Sequence, residues 1–325
     1  MAEKNSCNLY IASCSADGGI WQYRLTDGRP EVIGFTPMEY PMYMIVSGSG
    51  TERKMHILLL KPFGNGESGL VTYRINADGG LYDPSPVIST RGIEACHLCE
   101  DGGTVYAANY TTGSIFATPD RLITHTGHSL HPQRQEGPHT HFVDLTPDRK
   151  RLCVVDLGLD RILIYSKELE LLSSVSLPAG HGPRHLAFHS DGTHAFCVNE
   201  LASTVSLLRY EEDEMELLQT VSALPGDFTG ESTGAAIRCV GDTVYVSNRG
   251  HDSISVLDFT GDSLSLRKTI PTYGADPRDF IVEGDLLIST NQTGNCVCFV
   301  SEAEGTLKAK LDLPSPLCVL TDSER

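Results

Sequence analysis

The sixteen residues AFCVNELASTVSLLRY, 195–210, hold the pattern that decides the fold: an apolar run, a polar residue, a short loop, then a second apolar run opened by a β-branched residue. Short runs rich in Val and Phe, separated by Asn, Ser and Thr, read as the two strands of a hairpin. The layout recurs in YIASCSADGGIWQYRL (10–25), ILLLKPFGNGESGLVTYRI (57–75), VYAANYTTGSIFAT (105–118), LCVVDLGLDRILIY (152–165), VYVSNRGHDSISVLDF (244–259) and LISTNQTGNCVCFV (287–300). The residues opening the second runs are Ile20, Leu70, Ile115, Ile162, Val205, Ile254 and Val297, spaced 43 to 50 positions apart. Each period also has a run before the hairpin, such as PRHLAFHSDG (183–192), and one after it, such as MELLQTVSAL (215–224). Four short antiparallel strands repeated seven times predict an all-β fold, a seven-bladed β-propeller of four-stranded blades. The chain starts with a run equivalent to a second strand, NLYIAS, and ends with PSPLCVLTDSER, equivalent to a first strand. The C-terminal strand is therefore expected to complete the first blade and close the ring, making residues 1–325 a single domain.

With 325 residues and 40% hydrophobic content the chain can bury a substantial core, while 31 glycines and 17 prolines favour turns over long helices. No apolar run approaches the roughly 20 residues of a membrane span. The start, MAEKNSCNLY, lacks the basic-then-apolar layout of a signal peptide. These features predict a soluble, cytoplasmic protein with no membrane partner. A formal charge of −17 argues against nucleic acid as a partner and makes any cluster of arginines more informative. The ten cysteines lie scattered in apolar runs, as buried thiols of a reducing compartment would. Cys96 and Cys99 in CHLC read as core cysteines, because a strand turns positions three apart to opposite faces. His125, His128 and His131 belong to a polar insertion, THTGHSLHPQRQ (124–135), and are not read as metal ligands. No metal or organic cofactor is expected.

In an antiparallel pair, the start of one strand and the end of the next lie at the same edge. Arg184, just before HLAFHS, and Glu200, just after HAFCVN, therefore converge at one mouth of the propeller channel. The same rule brings His139 and His141 from blade 4, and Asn248, Arg249 and His251 from blade 6. Blade 7 adds Arg278, Asn291 and Gln292, blade 5 adds Asn199, and blade 3 adds Asn109 and Tyr110. Arginines, histidines and a glutamate gathered in an acidic protein suit a small anionic molecule, gripped by guanidinium forks and served by a proton-moving group. Turn formation is the competing reading for Asn109, Asn199, Asn248 and Asn291, and for Asp156 and Asp160. Arg184 and Arg278 compete with a reading as solvated loop starts. The polar stretch 119–137 is long enough to cover the mouth.

Three segments, PHTHFVDLTPDRKRLCVVDLGLDRILIY (138–165), GPRHLAFHSDGTHAFCVNELASTV (182–205) and VYVSNRGHDSISVLDF (244–259), resemble the seven-bladed β-propeller lactonase family. That family includes propeller-type 6-phosphogluconolactonases and carboxymuconate-lactonising enzymes. The resemblance implies a catalytic set of His141, Arg184, Glu200 and Arg249, with His139 an alternative to His141. Asp144 stands where the family motif can carry Asn. Substrate contacts are expected from His139, Asn199, Asn248, Arg278 and Asn291. The implied reaction is hydrolysis of a small anionic lactone, 6-phosphogluconolactone first, with His141 or Glu200 as base and the arginines on the developing anion. Muconate lactonisation and a non-catalytic scaffold are the alternatives. Against the scaffold, the Gly-His and Trp-Asp repeat signatures are absent, and Trp21 is the only tryptophan.

Overall fold

The hairpin at 195–210 forms as read: His194–Asn199 pairs antiparallel with Thr204–Glu211, Val198 facing Val205. The computed structural model describes residues 6–322, and in it the same unit is built seven times as separate antiparallel sheets. Their first strands are Pro316–Thr321, Pro41–Ser47, Ala95–Asp101, Thr140–Leu145, Pro183–Phe188, Thr233–Val240 and Pro277–Glu283, belonging to blades 1 to 7. Among the described residues there is no α-helix, only a 3-10 turn at Gly50–Glu52, and no helix is long and apolar enough to cross a membrane.

The chain divides into two compact units. One comprises Met1–Thr90 and Thr272–Arg325, with blades 1, 2 and 7. Here the expected terminal pairing is present: Pro316–Thr321 lies beside Ser6–Ser13, ahead of Gly19–Thr26 and Arg29–Pro37. Asp322 fastens that strand, accepting from the Asn8 backbone N–H at 2.8 Å and Asn8 Nδ2 at 2.6 Å, and pairing with Arg53 Nη1 at 2.7 Å. Blade 2 departs from four strands. Its outer strand is split into Leu81–Tyr82 and Ile88–Ser89, both paired to Gly69–Ile75. Pro84 and Pro86 fall in the gap, and proline has no N–H for a ladder.

The other unit, Arg91–Pro271, holds blades 3 to 6. Its second strands are apolar on both faces, because each sheet is packed on both sides. Leu152–Asp156 is buried throughout, whereas the outer strand Leu171–Ser176 is largely exposed. Three apolar layers join neighbouring sheets. Val143 and Val154 pack on Tyr106 and Ile115; Ile162 and Ile164 on Leu186 and Cys197; Phe196 and Val205 on Val246 and Leu257. Each fully buried side chain of this kind contributes on the order of 1.5–3 kcal/mol.

All seven first strands share an irregularity that periodicity does not reveal. Close to the strand's start the register slips, so that an extra residue stands outside the ladder. The residues displaced are Leu317, Met42, Cys96, His141, Arg184, the pair Ala235–Ala236, and Arg278. A bulge of this kind bends the strand and re-aims a side chain.

The Asp322 clasp gives a stability test. Asp322→Ala removes a part-buried carboxylate with three donors, and hydrogen bonds to charged groups are each worth about 1.5–3 kcal/mol. The urea midpoint is expected to drop by that free energy divided by the slope, with the slope itself unchanged. An unmoved midpoint would show that the terminal strand needs no such fastening.

Candidate active site

Four predicted residues meet within the Arg91–Pro271 unit, around the carboxylate of Glu200. Glu200 follows the second strand of blade 5 and is 3% exposed. Its main chain is locked, the N–H on Gly182 O at 2.6 Å and the carbonyl receiving Gly234 N–H at 3.1 Å. Gly182 has φ +61°, and a Cβ there would stand 2.5 Å from Leu201 Cγ, so glycine is required. Asp160 fixes the same turn, accepting from Gly180 N and Gly182 N at 2.7 Å each and from Ser129 Oγ at 2.5 Å. Asp160 is thus the turn former that the sequence reading allowed.

Three guanidinium groups surround the Glu200 carboxylate. Arg184 Nε lies 3.1 Å and Arg249 Nη2 3.0 Å from Oε2, and Arg134 Nη2 lies 2.5 Å from Oε1. Arg184 is the bulged residue of blade 5, and its Nη1 donates to Ala235 O at 2.9 Å. That carbonyl belongs to the bulge of blade 6, outside the regular ladder. Arg249 donates in the same way to Gly234 O at 3.1 Å. Burial alone would raise the carboxyl pKa of Glu200, but Arg249, Arg184, His141 and Arg134 outweigh it and hold it well below the usual carboxylate range.

His141, the bulged residue of blade 4, lies beside this group. Its Nδ1 is 3.7 Å from Cys96 Sγ, and its ring meets Tyr110 edge-on at 5.4 Å and His185 at 5.1 Å. His185 continues to His97 at 5.0 Å, whose Nδ1 donates to Val143 O at 3.1 Å. Burial, then the cations nearby, hold both rings neutral: His185 falls well below 6.5 and His97 to about 3. His139 takes a different place. It stacks on Tyr110 at 4.6 Å, its N–H donates to Asp156 Oδ1 at 2.8 Å, and its ring N–H donates to Tyr110 O at 3.2 Å. His141 is among the groups acting on the Glu200 carboxyl, whereas His139 faces Tyr110.

For the asparagines the turn-forming reading fits the geometry. Asn199 Nδ2 donates to Thr204 Oγ1 and Ser206 Oγ, both at 2.9 Å; Asn248 Nδ2 donates to Ser253 and Ser255 at 3.2 and 2.7 Å. Asn291 bonds Ser289 at 3.3 Å. All three are 0% exposed and clasp their own hairpins through Nδ2. Arg278 is the bulged residue of blade 7, in the other unit with Asn291. Asp156 binds His125 Nδ1 at 2.6 Å, and His125 Nε2 meets Tyr165 Oη at 2.9 Å, which accounts for the first histidine of the polar insertion.

The sequence reading missed Arg134. Its insertion is not a loose cover. Gln135 is 0% exposed with Nε2 on Leu157 O at 2.8 Å, and His131 N–H reaches Gln135 Oε1 at 3.0 Å. The signal available was an arginine in a long polar insertion of an acidic chain, beside a site already assigned.

Comparison with known proteins bears on the whole chain. The family model "Lactonase, 7-bladed beta-propeller" matches residues 8–321. A 6-phosphogluconolactonase of Bacillus subtilis is 35% identical over 284 residues, 78% of this chain and 81% of that protein. A solved protein from Lactobacillus plantarum superposes with TM-score 0.85 at 27% identity, covering 98% of this chain and 99% of that one. The periplasmic gluconolactonase of Pseudomonas aeruginosa shares the fold, with TM-score 0.85 at 23% identity over 98% and 99% of the two chains.

The buried histidines dictate a pH response. Their folded pKa values lie below the unfolded 6.5, so under acid the unfolded chain takes up protons first. Stability present above pH 6.5 is lost as pH falls toward the folded values. Between pH 7.5 and 5.0 His97 should cost about 2 kcal/mol, from 1.36 kcal/mol per pKa unit, and His185 should act in the same direction. Urea midpoints at the two pH values measure this, and His185→Gln should reduce the difference. A wild-type midpoint that does not move would mean the rings are not held neutral.

Proposed function

The chain belongs to the seven-bladed β-propeller lactonase family, and from that premise we propose that it hydrolyses a small anionic sugar lactone, with 6-phosphogluconolactone as the substrate. The observation that carries this reading is the surplus of positive charge at Glu200: three guanidinium groups and one carboxylate, with an imidazole beside them. Such a site draws an anion and stabilises the oxyanion that forms when water attacks a lactone carbonyl. The Bacillus subtilis relative, by its name, acts on a lactone of this kind.

Of the two candidates for the base, the structure favours His141. Glu200 is committed to three cations and is a weak proton acceptor in that state. In the proposed mechanism His141 takes a proton from water as its oxygen attacks the carbonyl carbon. Arg249, 15% exposed at its side chain, stabilises the oxyanion. Collapse of the tetrahedral intermediate breaks the ring C–O bond, and His141 returns the proton to the departing alkoxide. Arg184, 3% exposed and bound to Ala235 O, is a positioning residue that keeps Glu200 and Arg249 in register. We place the reaction in the cytoplasm, a reading supported by ten cysteines held as thiols.

Acid release from freshly generated 6-phosphogluconolactone, corrected for spontaneous opening, tests the assignment. His141→Asn should lower kcat by about 10²–10⁴-fold, the usual worth of a general base. Arg249→Met should cost about 10²–10³-fold, as loss of an oxyanion donor does. Full activity in both variants would refute this site. Wild-type activity confined to a muconolactone would replace the substrate and leave the site standing.

A further inference from the structure

The three arginines on Glu200 are not equivalent. Arg184 and Arg249 each have a second anchor in a backbone carbonyl, Ala235 O and Gly234 O, and their side chains are 3% and 15% exposed. Among the described residues the Arg134 guanidinium is held by Glu200 Oε1 and Tyr110 Oη alone, the latter 3.1 Å from Nη2, and its side chain is 38% exposed. Its backbone is nonetheless held, because the next residue, Gln135, is fully buried and bonded to Leu157 O. Arg134 therefore presents a solvated guanidinium from a fixed point. Charge decides what it is for. Three guanidinium groups against one carboxylate leave a formal surplus of two positive charges, within a protein of net charge −17. A phosphate monoester carries about −1.5 to −2 near neutrality, which matches that surplus; a neutral sugar lactone does not.

We propose that Arg134 is the specificity-determining contact for the phosphate of the substrate. On binding, its guanidinium exchanges Glu200 Oε1 for two phosphate oxygens, the bidentate geometry that arginine suits. Glu200 keeps Arg184 and Arg249, so the exchange leaves the two anchored arginines in place. The inference rests on the lactonase reading for its choice of ligand, but its test does not depend on turnover.

The experiment is calorimetric binding of two stable probes, 6-phosphogluconate and gluconate, to wild type, Arg134→Gln and Arg134→Lys, with hydrolysis of the two corresponding lactones followed in parallel. The wild type is expected to bind the phosphorylated probe at least tenfold more tightly than gluconate. Arg134→Gln should lose that preference to within about threefold, and Arg134→Lys, a point charge without the fork, should recover part of it. A purely structural role would weaken both probes alike and leave their ratio untouched, which overturns the proposal; so does a wild type with no preference. If Arg134→Gln fails to fold, an undiminished preference in Arg134→Lys overturns the bidentate contact and a partial one supports it. A wild type that hydrolyses neither lactone, yet shows the shift in preference, removes the lactonase substrate and keeps Arg134 as the phosphate contact. Hydrolysis with an unchanged ratio does the reverse.

Discussion

Glu200 keeps its negative charge where water is excluded, and the architecture around it follows from what that costs. Taking a carboxylate out of water carries a penalty of several kcal/mol, offset only by well-placed opposite charge. Here three guanidinium groups supply that charge, and in doing so they create a new problem, since cations side by side repel. The two deeper ones are relieved by backbone carbonyl dipoles, Ala235 O and Gly234 O. The first of these is outside the regular ladder because the entry strand of blade 6 bulges. A site made of side chains thus depends on an irregularity of the backbone, and Glu200 itself is held by a turn fixed by Asp160 and Gly182.

The neutral rings of His185 and His97 belong to the same balance. An imidazolium next to Arg184 would add to a cluster that is already cationic, and burial makes it costlier still. Both rings therefore pack as uncharged aromatic bodies, His97 against Phe142 at 4.3 Å and His185 against His141. The effect is a rigid wall behind His141 that contributes shape without contributing charge. Cys96, itself a bulged residue, also meets the His141 ring, its sulfur 3.7 Å from Nδ1.

Much of this was legible in the sequence for a reason that can be stated. Packing sheets on both faces forces an apolar run such as LCVVD in every repeat, and repetition makes the pattern visible where one copy would not. Antiparallel pairing then brings Arg184 and Glu200 together without further information. What stayed hidden is what does not repeat in the pattern or does not alter polarity. The bulges shift register by one residue, which alternation in short, doubly buried strands cannot report. Arg134 comes from an insertion with no counterpart in the other blades, so no repeat pointed to it. Asn199 and Asn248 stand at the end of a second strand, as read, but their Nδ2 groups bond Thr204, Ser206, Ser253 and Ser255 five and seven positions on, a clasp that the pattern does not announce.

The displaced residue in each entry strand has an implication for how such a site changes over time. Leu317, Met42, Cys96, His141, Arg184, Ala235–Ala236 and Arg278 occupy one structural position, copied seven times with six different contents, arginine alone appearing twice. A side chain outside the ladder can be exchanged without breaking a backbone hydrogen bond between strands. The scaffold therefore works as a set of sockets whose occupants vary independently of the sheets that hold them. Chemistry can be rewritten there one codon at a time while the fold stays constant, and the apolar or thiol-bearing sockets are the places where a new activity has room to begin.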